Sequence, residues 1–103
     1  MLRIDQLRLL PDQPESDLTA KCARLLRTDP SSLRDLTVLR RAIDAREGLT
    51  FVYTVAVSAP QEPALLRRCR DKRVTAYIPE HYALPAPVTP PEVRPIVVGA
   101  GPA

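Results

Sequence analysis

The residues with the clearest capacity for chemistry in this 103-residue chain form its last stretch, Arg94-Pro95-Ile96-Val97-Val98-Gly99-Ala100-Gly101-Pro102-Ala103. Pro95 stops any preceding element, Ile96–Val98 reads as a β-branched strand, and Gly99 falls where the chain must turn tightly. A strand that runs into Gly-x-Gly is how the phosphate turn of a dinucleotide-binding βαβ unit begins: the first glycine makes the turn, and the second lets the backbone approach a diphosphate. The third glycine, the helix whose N–H groups face the phosphates and the acidic residue roughly 20 positions on all fall beyond Ala103. The expectation is a leading domain of a larger flavin or nicotinamide enzyme, cut where the cofactor domain starts and unable to do that chemistry alone. The alternative is an apolar tail that happens to carry two glycines.

Other reactive groups are sparse. His81 is the single histidine and stands beside Tyr82 in a proline-rich stretch, remote from any nucleophile. Cys22 and Cys69 lie far apart without Cys-x-x-Cys spacing, which argues for small buried apolar residues in a reducing compartment and against a metal or redox site. The chain holds no asparagine and no paired carboxylates on one element, so acyl-phosphate hydrolysis and acid–base catalysis lack their parts. No catalytic or metal-ligating residue is expected. Asp44 and Arg46, two apart on an extended segment, share a face with Arg40. These three are the candidates for an interface: a cross-strand ion pair, a clamp onto another domain, or a solvated pair worth about 0–1 kcal/mol.

The elements that must position these groups follow from periodicity. Leu2 and Ile4 alternate as a strand that continues to Leu10, with an irregularity before Leu7 and Leu9, where the alternation changes phase. Leu18, Cys22, Leu25 and Leu26 recur at helical spacing after Ser16 or Asp17 as cap, with Lys21, Arg24 and Arg27 elsewhere around the helix. Asp29-Pro30 starts a short turn through Leu33 and Leu36. Val38–Arg46 reads as a strand with Leu39, Arg41, Ile43 and Ala45 on one face, although Leu36, Arg40 and Ile43 also fit a continued helix. Glu47-Gly48 is a tight connection. Leu49–Ala59 alternates with almost no charge on either face, as a central strand should. A helix over Glu62–Lys72 and a strand over Val74–Ile78 complete β-α-β-β-α-β, the ferredoxin-like plan: an α+β fold with a four-stranded antiparallel sheet and both helices on one face. Right-handed crossovers make the first and third strands central. Residues 1–78 form that domain, and 79–95, with six prolines in seventeen residues, an extended linker. Residues 96–103 are the first strand and glycine turn of the next domain.

Composition bounds the function classes. Fifteen basic and twelve acidic residues leave +3, interspersed along the chain, whereas a dedicated nucleic-acid binder concentrates its cations on one face. The N-terminus lacks a basic segment followed by an apolar one, and no run is long enough to span a membrane. A cytoplasmic protein is expected.

The chain resembles the N-terminal part of a bacterial family of FAD-dependent oxidoreductases, the uncharacterised FAD-dependent dehydrogenases. Leu39-Arg40-Arg41-Ala42-Ile43-Asp44-Ala45-Arg46 is similar to that family's basic pair followed by Ser-Ile-Asp-Ala-Arg, with Ala42 where the family usually has serine. Phe51-Val52-Tyr53-Thr54-Val55-Ala56-Val57 resembles its central strand, and Arg94–Ala103 its entry into the FAD domain. The resemblance implies that Gly99 and Gly101 bind the FAD diphosphate in the complete protein, and that substrate and nicotinamide sites lie downstream. The domain's partner is then the FAD-binding domain of the same chain, and without that cover the sheet can dimerise. Two other classes share the topology: a small-ligand regulatory module, and an RRM-like nucleic-acid binder. Against the latter, Glu47 stands where a basic residue belongs, and Leu49 and Thr54 replace stacking aromatics, which leaves Phe51 and Tyr53 as core residues.

Overall fold

The computed structural model describes residues 1–102. The elements are β1 (Leu2–Leu9), α1 (Asp17–Leu26), a 3-10 turn (Pro30–Ser32), β2 (Arg34–Asp44), β3 (Thr50–Ser58), α2 (Glu62–Arg68) and β4 (Val74–Ala76). The sheet order is β2-β3-β1-β4 with every neighbour antiparallel, so β1 and β3 are central and the arrangement is the ferredoxin-like one. The core lies on one face. Leu2, Ile4, Leu7 and Leu9 of β1 and Tyr53, Val55 and Val57 of β3 pack against Leu18, Cys22 and Leu26 of α1 and Leu65 of α2. Each fully buried aliphatic side chain contributes roughly 1.5–3 kcal/mol relative to exposure.

The phase change in β1 is a bulge. Ile4 pairs with Val55 and Leu7 with Tyr53, so Asp5 and Gln6 together oppose Thr54. Gln6 takes the left-handed conformation (φ 60°), and this extra residue lets Ile4 and Leu7 both face the core. β2 carries two such irregularities, between Arg34 and Thr37 and between Val38 and Arg40. Both blunt a long edge strand against pairing with another chain.

Several bounds differ from expectation for identifiable reasons. The turn capped by Asp29, whose carboxylate accepts from the Ser31 N–H at 2.8 Å, closes at Ser32. Leu33 is already extended, so β2 starts at Arg34 and no helix continues through Leu36. The bulge at Leu39 moves that residue out of register, and Val38, not Leu39, shares the helix-side face with Arg41 and Ile43. Helix α2 ends at Arg68, because the apolar stripe stops at Cys69 and the following positions offer only charged side chains. β4 ends at Ala76 and Ile78 is 84 % exposed. Ser16 precedes α1 without a side-chain capping bond. Residues 79–102 form no helix or strand and are exposed, and Ala103 lies outside the described residues.

Candidate functional site

The helices cover one face of the sheet and leave the other open. On the open face β3 presents Thr50, Val52, Thr54 and Ala56, opposed on β2 by Asp44, Ala42, Arg40 and Thr37 and on β1 by Arg8 and Arg3. A hollow of about 420 Å³ lies there, floored by Ala42, Val52 and Thr54 and walled by Arg8, Arg40 and Arg46. Small side chains at Ala42 and Val52 let Arg8 reach from β1 across β3 to β2.

Asp44 is the fixed point of this hollow. Its carboxylate accepts from Arg8 Nη1 at 3.1 Å, from Arg46 Nε at 3.0 Å and Nη2 at 2.7 Å, and from the Arg46 N–H at 3.2 Å. The Arg46 fork, then its N–H and Arg8, hold the Asp44 carboxyl well below the usual carboxylate range, and the same pairing raises Arg46. The Asp44 side chain is only 16 % exposed while Arg46 is 81 % exposed, so the carboxylate is fixed and the guanidinium stands free on its other side. Arg40 lines the same hollow and makes no ion pair among the described residues. The expected trio is thus brought together, with Arg8 as the unforeseen fourth member. Beside it the bulge turns Asp5 toward Thr54, whose hydroxyl donates at 2.9 Å.

Arg41 lies on the opposite face. It stacks over Phe51 at 5.5 Å from the ring centroid and approaches Glu15 at 3.8 Å, and the Tyr53 hydroxyl donates to the same carboxylate at 3.1 Å. Both aromatics of β3 are therefore on the helix side, Tyr53 in the core and Phe51 packed against it. An RRM-like surface needs aromatics on the open face, where Thr and Val stand instead.

The remaining candidates stand apart from this face. Gly99 adopts φ 95°, the left-handed geometry a tight turn requires, but a Cβ on Gly99 or Gly101 would meet nothing within 4 Å. Residues 1–102 form no diphosphate cradle around these glycines. His81 lies in the exposed tail. Cys22 is fully buried and burial pushes its thiol up to about 11, while the half-buried Cys69 donates to the Leu25 carbonyl at 3.5 Å. Among the described residues no three His, Cys, Asp or Glu side chains cluster as a metal site, and no helix is long and apolar enough to cross a membrane.

A second concavity went unforeseen. A groove of about 940 Å³ between β1, α1 and the loop after α2 gathers cations from all three elements. Its members are distant in sequence, so linear interspersion concealed them. The visible signal was the run Arg67-Arg68-Cys69-Arg70-Asp71-Lys72-Arg73.

Comparison with known proteins places these surfaces in context. An uncharacterised protein of Clostridium beijerinckii (strain ATCC 51743 / NCIMB 8052) is 30 % identical over 105 residues, an alignment that covers 99 % of this chain and 20 % of the relative. The chain spans about a fifth of that relative's length. A family model described as "Domain of unknown function (DUF8436)" matches residues 1–58, from β1 through the end of β3, and so includes Arg8, Arg40, Asp44 and Arg46. With more than half of its residues matched, the chain belongs to the DUF8436 family.

Proposed function

We propose that this is an accessory domain of an FAD-dependent oxidoreductase that docks through its open sheet face onto the FAD-binding domain of the same polypeptide. The observation that carries the reading is the hollow around Asp44. It is a polar site on a sheet face that no helix covers, with one carboxylate fixed by Arg8 and Arg46 and with Arg40 lacking an acidic partner. A pre-ordered group pays little side-chain entropy on docking, and the free cation selects a surface that offers a carboxylate or backbone carbonyls. Apolar surface lies close by. Leu10, 54 % exposed, follows Leu9 opposite Phe51 and so stands on the open-face phase at the end of the sheet that carries Asp44. A polar centre with a leucine at its edge suits an intramolecular domain interface, which is more polar than an obligate one. The flavin part of the proposal rests on the strand and glycine turn at Ile96–Gly101 and on the resemblance it carries, and the length of the Clostridium relative leaves room for further domains. The domain contributes contact and orientation.

The experiment compares the 103-residue chain with the uninterrupted reading frame that contains it. The expected result is a colourless short chain and a yellow long one, with the amides of β3 exchanging more slowly in the long protein. A long protein without flavin absorbance refutes the cofactor assignment. Equal exchange in the two proteins refutes docking through the sheet.

A further inference from the structure

The basic groove carries an inference independent of the flavin reading, since it uses a different surface. β4 pairs only with Leu2–Ile4, so β1 from Leu7 to Leu9 has no neighbour on that side, and the gap is the floor of the groove. Lys21 and Arg24 enter from α1 and Arg27 from its C-terminal cap, and Arg68, Arg70 and Arg73 from the end of α2 and the loop that follows. Arg8 completes the lining, so seven of the fifteen cations of the chain meet one groove. Asp71 is its single acid, and that carboxylate is already committed: Arg73 donates to it from Nε at 3.0 Å, from Nη2 at 2.7 Å and from its N–H at 2.9 Å. With the Arg8 guanidinium drawn to Asp44 on the sheet face, the groove holds a net five positive charges in a chain whose total is +3, and the rest of the molecule is net acidic. Such an asymmetric field steers an anion to one place.

Two cations are spent on structure. Arg68 donates to the Leu26 and Arg27 carbonyls at 3.1 and 3.0 Å, closing the C-terminal end of α1 where a cation is favoured, and Arg8 is held by Asp44. Lys21, Arg24, Arg27 and Arg70 have no acidic partner among the described residues. We propose that this groove binds the sugar–phosphate backbone of a duplex nucleic acid, read by charge and without base contacts.

Four free cations along an open groove match a run of phosphates, whereas a small phosphorylated ligand offers charge at one point. No aromatic side chain lines the groove, so unpaired bases have nothing to stack on and a single strand is disfavoured. An acidic peptide added as a strand would find only Leu7–Leu9 of β1 free, too short an edge to pair firmly. Arginine outnumbers lysine in the lining, and its planar fork suits phosphate oxygens.

The test is fluorescence anisotropy of a labelled DNA duplex, and of the RNA duplex of the same sequence, with the 103-residue chain at several salt concentrations. Neutralising about four phosphates predicts a slope of log affinity against log salt of about −3 to −4, or about a 100-fold loss between roughly 50 and 200 mM. The triple variant Lys21→Gln, Arg24→Gln, Arg70→Gln should reduce that slope to about −1. A variant of equal charge loss outside the groove, Arg34→Gln, Arg41→Gln, Arg94→Gln, should keep most of it. The proposal is overturned if neither duplex binds at low salt, or if both triple variants lose affinity equally. It is also overturned if polyglutamate or tripolyphosphate binds as tightly as the duplex, since the occupant is then an acidic protein segment or a small polyanion.

Discussion

Deleting Gln6 should leave this domain folded, because the core depends on the match between the bulge and the phase change in the sequence and not on the bulge itself. Gln6 is the extra residue of the β1 bulge. Without it Leu2, Ile4, Leu7 and Leu9 fall in strict alternation on one face, Asp5 alone opposes Thr54, and Leu7 keeps its pairing with Tyr53. All four side chains, now between 0 % and 5 % exposed, then stay in the core. The deletion also removes a residue held at φ 60°, so stability should change by no more than about 1–2 kcal/mol of the about 5–15 kcal/mol that stabilises a typical domain. The substitution Gln6→Gly keeps the residue count and suits φ 60°, so relief of strain and added chain entropy should leave it within about 1 kcal/mol of the parent. Gln6→Val, β-branched in a left-handed position, should cost about 1–2 kcal/mol. Urea unfolding followed by far-UV circular dichroism ranks the four proteins. If the deletion loses more than about 3 kcal/mol, about what two outward-turned aliphatic side chains cost, the strand does not re-form in strict alternation and the account of the bulge is wrong.

Three further perturbations test other parts of the structure. Burial raises Cys22 to about 11 from an ordinary 9.0, so its contribution is complete below pH 9 and lost as pH rises toward 11. Discounted for nearby solvent, the loss should be about 1–2 kcal/mol in the parent and absent from Cys22→Ala, in which the other alkaline titrations still occur and cancel from the comparison. Asp44 is depressed by Arg46 and Arg8, so its stabilisation is present above the unfolded carboxylate range near pH 4 and disappears below it. Urea midpoints of the parent and Asp44→Asn should therefore differ at pH 7, begin to approach each other near pH 4 and converge as pH falls below that range. Tyr53→Phe keeps the buried ring and removes the hydrogen bond to Glu15, so calorimetry should show a loss of about 1 kcal/mol with no change of fold.

The order of elements could be read from the chain because each has one unambiguous period. Leu2, Ile4, Leu7 and Leu9 even announced the bulge, since no regular strand puts all four on one face. The face carrying Asp44 and Arg40 followed from simple alternation. Leu39 did not, because a bulge in an edge strand leaves no hydrophobic trace when both neighbouring faces are partly exposed. The end of α2 was obscured by a charged run that is compatible with helix and loop alike. Arg8 as the partner of Asp44 was beyond reach for another reason. The contact spans three strands and depends on how little Ala42 and Val52 fill the space between, which no local pattern encodes. The basic groove is the same problem at larger scale: its cations are spread across the chain and meet only because β4 is short.

Gln6 and Arg8 line both concavities, the hollow on the sheet face and the basic groove at its edge. The bulge brings this about. By adding one residue it directs Arg8 over the open face toward Asp44, while Gln6 borders the gap left by β4. A docked domain that supplies its own acid to Arg40 leaves the Arg8–Asp44–Arg46 set closed and the groove cations untouched, so the two surfaces can be occupied together. A partner that competed for Asp44 would instead release Arg8 and add a fifth mobile cation to the groove. The salt dependence of duplex binding is sensitive to that difference, because each further phosphate neutralised steepens the slope by about 0.9. Asp44→Asn weakens the hold on Arg8 without altering the groove, and should therefore steepen the slope by up to that amount. An unchanged slope in this variant means that Arg8 stays over the sheet face whether or not Asp44 is charged, and that the two surfaces are independent.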